Sequence, residues 1–209
     1  MEKGDILTFG AENKGQESDG PRTVVLYGLP HSGKSTLANS LSISMKARVI
    51  DVGEIMRFLA SQSNHHAYFQ SVSAALRNNQ LLSDRAAIRL VCESAGDSRG
   101  ADLILVGYPR TKKALELFLR LMRMTNRSMD RLTVIHLCIG EAKSRDLVRS
   151  RGREGDLSGG NLDKRYRVFQ DNDAHLLSEL RKTRNYTELD YDLGVTEVYM
   201  RTLNVIEAT

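Results

Sequence analysis

GLPHSGKST, residues 28–36, decides how the rest of the chain reads. It fits GxxxxGK[ST], the pattern in which backbone N–H groups cradle phosphate, a lysine reaches the transferring end and a hydroxyl meets Mg²⁺. The same glycines would suit a plain turn before a helix, so the flanks carry the decision. Upstream, RTVVLYG (22–28) is an apolar strand; downstream, STLANSLSISMKA (35–47) has helical spacing. A strand, a glycine loop and a helix in that order place free N–H groups and the positive end of a helix dipole where an anion would sit. Gly28, His31, Ser32, Gly33, Lys34, Ser35 and Thr36 are therefore the candidate nucleotide-binding residues. Lys34 is directed at the β/γ phosphates, and the Ser35 or Thr36 hydroxyl at Mg²⁺ or phosphate. His31 is expected to turn its side chain outward while its backbone faces phosphate.

Beyond this loop, apolar runs alternate with amphipathic stretches, the rhythm of a parallel sheet covered by helices on both faces. RVIDVG (48–53) reads as a strand and EIMRFLASQS (54–63) as a helix; residues 64–79 continue with helical spacing. Ser83 and Asp84 look like an N-cap before RAAIRLVCESAG (85–96), and ADLILVG (101–107) is apolar enough for a central strand. A helix from Thr111, the strand RLTVIHLCIG (131–140) and the helix EAKSRDLVRSRG (141–152) follow. Four glycines in or just before GREGDLSGGN (152–161) predict a short mobile segment, after which a long helix (162–182), the strand YTELDY (186–191) and a last helix (195–206) close the pattern.

The chain has 209 residues, 41% hydrophobic and 27% charged, enough for one main core. Thirty Lys and Arg against 26 Asp and Glu give a formal charge of +4, so a polyanionic partner must be argued from where the charge lies. Two cysteines, Cys92 and Cys138, have no metal or dithiol spacing and read as reduced core thiols. Residues 1–21 are glycine-rich and acidic, without the features of a signal or transit peptide, and are expected to be a flexible leader. With no run of about 18 apolar residues, a cytoplasmic location without a membrane partner is expected. His65 and His66, adjacent and divergent on a helix, read as surface residues, and His136 as structural.

Two further constellations carry cations. LILVGYPRT (103–111) ends a buried strand at Arg110, and in open α/β sheets ligands bind beyond the carboxyl ends of strands. Arg145, Arg149 and Arg153 recur at four-residue spacing, with Arg151 among them and Arg165 and Arg167 beyond the glycine break. A helix aligns Arg145 and Arg149 on one face toward that segment. Alone this would be a solvated charged face; beside a phosphate loop it is a set of cations for the oxygens that carry charge in phosphoryl transfer.

Together these motifs resemble the short-lid nucleoside monophosphate kinases of the adenylate kinase family, over residues 23–206. The resemblance rests on GLPHSGKST as the phosphate loop, DVGEIMR (51–57) as the acceptor turn and helix, and GYPRT (107–111) as the most characteristic pentapeptide. RDLVRSR (145–151), GRE (152–154) and DKRYRVF (163–169) resemble the lid region. It implies a P-loop three-layer αβα fold with a five-stranded parallel sheet, a small acceptor-binding helical segment near 53–82 and a short lid near 150–161. ATP and Mg²⁺ would be the cofactors, a nucleoside monophosphate (AMP foremost) the partner, and the protein a monomer that binds no nucleic acid. It also implies catalytic roles for Lys34, Arg110, Arg145, Arg149, Arg153 and Arg165, acceptor binding by Val52, Gly53, Arg57, Gly107 and Arg110, and metal binding by Ser35 and Glu54.

Departures from the family pattern matter. Val106 stands where an Asp usually precedes GYPRT, Val52 where a threonine is usual, and Ala114 where a glutamine normally reads adenine. Glu54 keeps the other acidic position. The lid lacks the four metal ligands some relatives carry, and the spacing from Arg153 to Arg165 is a residue longer than expected. The Tyr108–Pro109 bond is a candidate for cis. Three other readings stay open: a P-loop phosphotransferase with a non-nucleotide acceptor, a nucleotide binder with weak or no turnover, and a nucleic-acid binder using its arginines, although that last one leaves Lys34 unexplained.

Overall fold

The computed structural model describes residues 20–62, 67–96, 100–151 and 161–209. The leader, His65, His66, Arg153 and the glycine-rich lid stretch lie almost wholly or entirely outside them. Five strands, β1 (Thr23–Tyr27), β2 (Arg48–Asp51), β3 (Leu103–Val106), β4 (Leu132–Cys138) and β5 (Asn185–Asp190), form one parallel sheet in the order β2-β3-β1-β4-β5. This is the α/β fold the alternation predicts.

The strands owe their central place to apolar side chains on both faces. Along β1, Val25 and Tyr27 join one core while Val24 and Leu26 join the other; along β3, Leu103 and Leu105 alternate in the same way with Ile104 and Val106. Each face is then covered by helices whose apolar stripes match it. Leu37, Ala38 and Leu41 of α1 (Lys34–Met45) and Val198 and Ile206 of α8 (Val195–Glu207) bury the second core. The first is closed by α4 (Asp84–Ala95), α5 (Lys112–Met124) and α7 (Asn161–Leu180), through Leu90, Phe118 and Leu180 among others. Burying a Leu or Phe side chain is worth about 1.5–3 kcal/mol, so these two layers hold the sheet rigid beneath the loops at its carboxyl edge.

Local signals set several boundaries. Ser83 and Thr111 cap α4 and α5 by accepting from the N–H groups of Ala86 and Ala114. The second helix, α2 (Val52–Ser61), starts two residues before the sequence pattern suggests, because Asp51 ends β2 and caps it by accepting from Glu54 N. Helix α3 is Ala67–Arg77, and α6 is Glu141–Arg151. Cys92 departs from its expected core position: α4 buries Ala87, Leu90 and Val91, and the next residue along the spiral faces solvent. Cys138 is half-buried. No described helix is long and apolar enough to cross a membrane.

Candidate active site

Strand β1 is central, and the loop that leaves its carboxyl end doubles back over the sheet. Gly28 makes this approach possible: its φ is +135°, and a Cβ there would lie 2.5 Å from the Leu137 carbonyl oxygen of β4. His31 also adopts a left-handed φ of 63°. That conformation turns its side chain to the cavity, where Nε2 stands 3.5 Å from Arg165 Nη1, rather than outward as the sequence suggests. Ser32 is fully buried.

Lys34 opens α1 and folds onto the loop that precedes it. Its Nζ donates to the carbonyls of Gly28 (2.8 Å) and Leu29 and to Ser32 Oγ (3.0 Å). Burial, followed by the nearby charge of Arg110, pushes its pKa down to about 7, with Asp51 acting in the opposite sense. A lysine in this state is held ready for an anion and gains its full charge when one arrives.

A cavity of about 210 Å³ runs from Gly33 and Lys34 across the carboxyl edge of the sheet. Arg57 from α2, Arg110 from the turn after β3 and Arg165 from α7 also line it. Apolar side chains line it too, among them Ala75 of α3, Leu82 just before α4 and Ala87 within α4. Val52, Gly53 and Gly107 line it as well. Arg110 is exposed along the wall of this cavity yet crowded by protein atoms; its pKa is lowered by that burial first and by Arg165 next. Its Nε donates to the Gly107 carbonyl at 2.9 Å, which fixes the guanidinium beside the turn. The preceding Tyr108–Pro109 bond is cis. Tyr108 itself is buried, donating its hydroxyl to the Ala114 carbonyl at 2.9 Å.

The predicted cations divide into two groups. Lys34, Arg57, Arg110 and Arg165 converge on the cavity. Arg145 does not line it: Glu141 and Asp163 each hold its guanidinium at 2.6 Å, and it lies over the Tyr166 ring, 4.6 Å from the centroid. Arg149 pairs with Asp146 at 3.0 Å and is 71% exposed. Arg153 lies outside the described residues. Thr36 is exposed on α1 beyond the cavity.

Two groups escaped the sequence reading, Asp51 and Ser144. Ser35 donates to Asp51 Oδ2 at 2.6 Å, so the carboxylate on the loop serine comes from the end of β2. Glu54, the acid expected to hold metal, is instead exposed outside the main cavity and lines a depression with Asn39 and Phe58 that Asp51 also borders. Ser144, fully buried on α6, donates to the Pro30 carbonyl at 2.6 Å and bonds the Tyr166 hydroxyl, tying α6 and α7 to the phosphate loop. A serine four residues into an arginine-rich helix gives no sequence signal of that contact, whereas Asp51 had one in DVGEIMR that its neighbour Glu54 overshadowed. His136 is structural as read: its Nδ1 pairs with the Tyr186 hydroxyl at 2.9 Å and its ring packs on Tyr27.

Mg²⁺ keeps several waters and asks of a protein only one or two carboxylates beside the phosphates. Among the described residues no three His, Cys, Asp or Glu side chains converge on one point. A single carboxylate resting on the loop hydroxyl nevertheless fits a hard cation shared with a nucleotide.

No curated protein matches the chain. A family model described as an AAA domain matches residues 27–159, well over half of its length. That span runs from the last residue of β1 through the phosphate loop, GYPRT and the first cation-bearing helix. The chain belongs to this AAA domain family of P-loop NTPases, which includes nucleoside monophosphate kinases.

Proposed function

We propose that this protein transfers the γ-phosphoryl group of Mg·ATP to a nucleoside monophosphate, with AMP the first acceptor to consider. The observation that carries this reading is the continuity of one cavity from Lys34 to Arg57 and Arg110 and on to an apolar wall. A hydrolase or simple nucleotide binder needs one anion site. Here four cations line one cavity, Arg165 beside His31 of the loop and Arg57 and Arg110 supplied by other elements, and apolar side chains in the same cavity suit the flat face of a base.

The chemistry asks little covalent work of the protein. An oxygen of the acceptor phosphate attacks the γ-phosphorus in line, the bond to the β–γ bridging oxygen breaks, and two nucleoside diphosphates result. The acceptor arrives as a phosphate anion, so no general base is required. The loop N–H groups and Lys34 hold the β/γ phosphates; Arg57 and Arg110 hold the acceptor; Arg165 faces the oxygens that gain charge in the transition state. Mg²⁺, bound beside Ser35, would neutralise charge on the β and γ oxygens. Arg145 and Arg149, engaged by acidic neighbours, would reach phosphate only if α6 moved, which would also help to exclude water.

Incubation with Mg·ATP and a panel of AMP, CMP, UMP, GMP and dTMP, with the diphosphates identified, tests the reading. Diphosphate formed from AMP supports it. Nucleotide binding with no diphosphate from any acceptor overturns it in favour of a binder without turnover, the reading that Val106 favours: the end of β3 offers a buried methyl pair in place of a carboxylate.

A further inference from the structure

We infer that Asp51, in place of Glu54, supplies the protein carboxylate for Mg²⁺, acting together with the Ser35 hydroxyl. The inference rests on the phosphoryl-transfer reading above and assigns its metal site. Asp51 and Val106 are register partners on the adjacent parallel strands β2 and β3, both at the carboxyl edge. The acid missing at Val106 therefore has a counterpart one strand over at the same height.

Local geometry supports the assignment. Asp51 is only 7% exposed, yet no Lys or Arg among the described residues pairs with it within salt-bridge distance. Its two oxygens are instead held by a hydroxyl and an amide: Oδ2 accepts from Ser35 Oγ at 2.6 Å and Oδ1 from Glu54 N at 3.1 Å. Lys34 and Arg110 feel its charge without pairing with it, so its oxygens rest on neutral donors that a divalent cation can join or displace. The hydroxyl it touches belongs to the residue after Lys34, the loop position that meets metal in such sites. Gly53 leaves room for this arrangement, since a Cβ there would press within 3.3 Å of Asp51 Oδ1 and 3.4 Å of Arg57 Nη1. Glu54 is exposed and does not line the main cavity, whereas Asp51 borders both that cavity and the depression Glu54 lines.

Mn²⁺ is a suitable probe because its free ion has a strong paramagnetic resonance signal. The full-length chain is titrated with Mn²⁺ in the presence of a non-hydrolysable ATP analogue, alongside Asp51→Asn and Glu54→Gln. Asparagine keeps the acceptor that caps α2, and an unchanged melting temperature confirms the fold. The inference expects Asp51→Asn to weaken Mn²⁺ roughly tenfold or more in the ternary complex, while metal-free affinity for the analogue stays within about twofold. Glu54→Gln is expected to hold Mn²⁺ as the wild type does. Retention of Mn²⁺ by Asp51→Asn, or its loss in Glu54→Gln alone, overturns the assignment while the phosphoryl-transfer reading stands. Failure of the wild type to bind the analogue, with or without Mn²⁺, overturns both.

Discussion

Raising the pH above neutrality should loosen nucleotide binding through one side chain, Lys34. In the free protein its pKa is pushed down to about 7, by burial first and the charge of Arg110 next. The negative charge of bound polyphosphate outweighs both influences and restores the ammonium, so binding takes up a proton. While the bound lysine stays protonated across this range, the protonated fraction of the free form sets the pH dependence. It falls from about a quarter at about pH 7.5 to about 1% at about pH 9, which corresponds to affinity about 25-fold weaker, or about 1.9 kcal/mol. Calorimetric titration of a non-hydrolysable ATP analogue in buffers of different ionisation enthalpy reads the same linkage directly. The expected uptake is about three-quarters of a proton per site at about pH 7.5 and about one at about pH 9. Folding has the opposite sign: because the folded pKa lies below the unfolded one, Lys34 costs least stability above its unfolded pKa and most below about pH 7. Lys34→Met should remove both slopes. Affinity that is flat across this range with no proton uptake would refute the charge state argued for Lys34.

Arg110→Met should lower turnover on the order of a hundredfold or more in a coupled assay, with a melting temperature unchanged or raised, since repulsion from Arg165 and Lys34 disappears with the charge. Gly28→Ala should destabilise the protein by about 1–3 kcal/mol in urea unfolding and weaken analogue binding, because the new methyl meets the Leu137 carbonyl. His136 has its pKa lowered, by burial ahead of the opposing pull of Glu188. Its folded pKa therefore lies below the unfolded value, and stability present above about pH 6.5 should fall as pH drops through the acid range. Urea unfolding of wild type and His136→Gln at neutral and mildly acidic pH measures this, and the variant should lose part of the slope. Leu180→Ala, at a fully buried position of α7, should cost about 2–5 kcal/mol and leave the order of acceptor preference unchanged in the panel assay.

How far the sequence could be read depended on whether a feature was local. The strand, glycine loop and helix around Gly28 are contiguous, and the structure keeps them as read. So are the caps at Ser83 and Thr111, where one side chain and an N–H three residues on settle the helix start. Non-local pairings were hidden. Asp51 reaches Ser35 because β2 lies two places from β1 in the sheet, with β3 between, an order that strand composition does not encode. The two-acid clamp on Arg145 joins α6 to α7 through Asp163, so the regular arginine spacing suggested a convergence that these counterions oppose. His31 turned inward for a backbone reason, its positive φ, which residue type alone leaves undecided.

Electrostatics link these local and non-local features into one argument about how the site works. Arg110 and Arg165 lower the proton affinity of Lys34, and Arg165 and Arg57 lower that of Arg110. Against them the cavity wall offers the carboxylates of Asp51 and Asp84, and Asp84 is already engaged by the Thr111 hydroxyl at 2.6 Å. The two apolar cores hold this excess of positive charge in place, at a cost recovered only when anions enter. One polyphosphate satisfies the loop end of the cavity but leaves the guanidinium of Arg110 facing acceptor space. A second phosphate then binds to cations already stripped of water and ordered, so occupation by donor and acceptor should reinforce each other without any direct contact between them. On the proposed kinase reading, Arg145, held by Glu141 and Asp163, would leave them only for phosphate oxygens of greater charge, so it would not complete the site around a single ligand, which keeps water from becoming the acceptor.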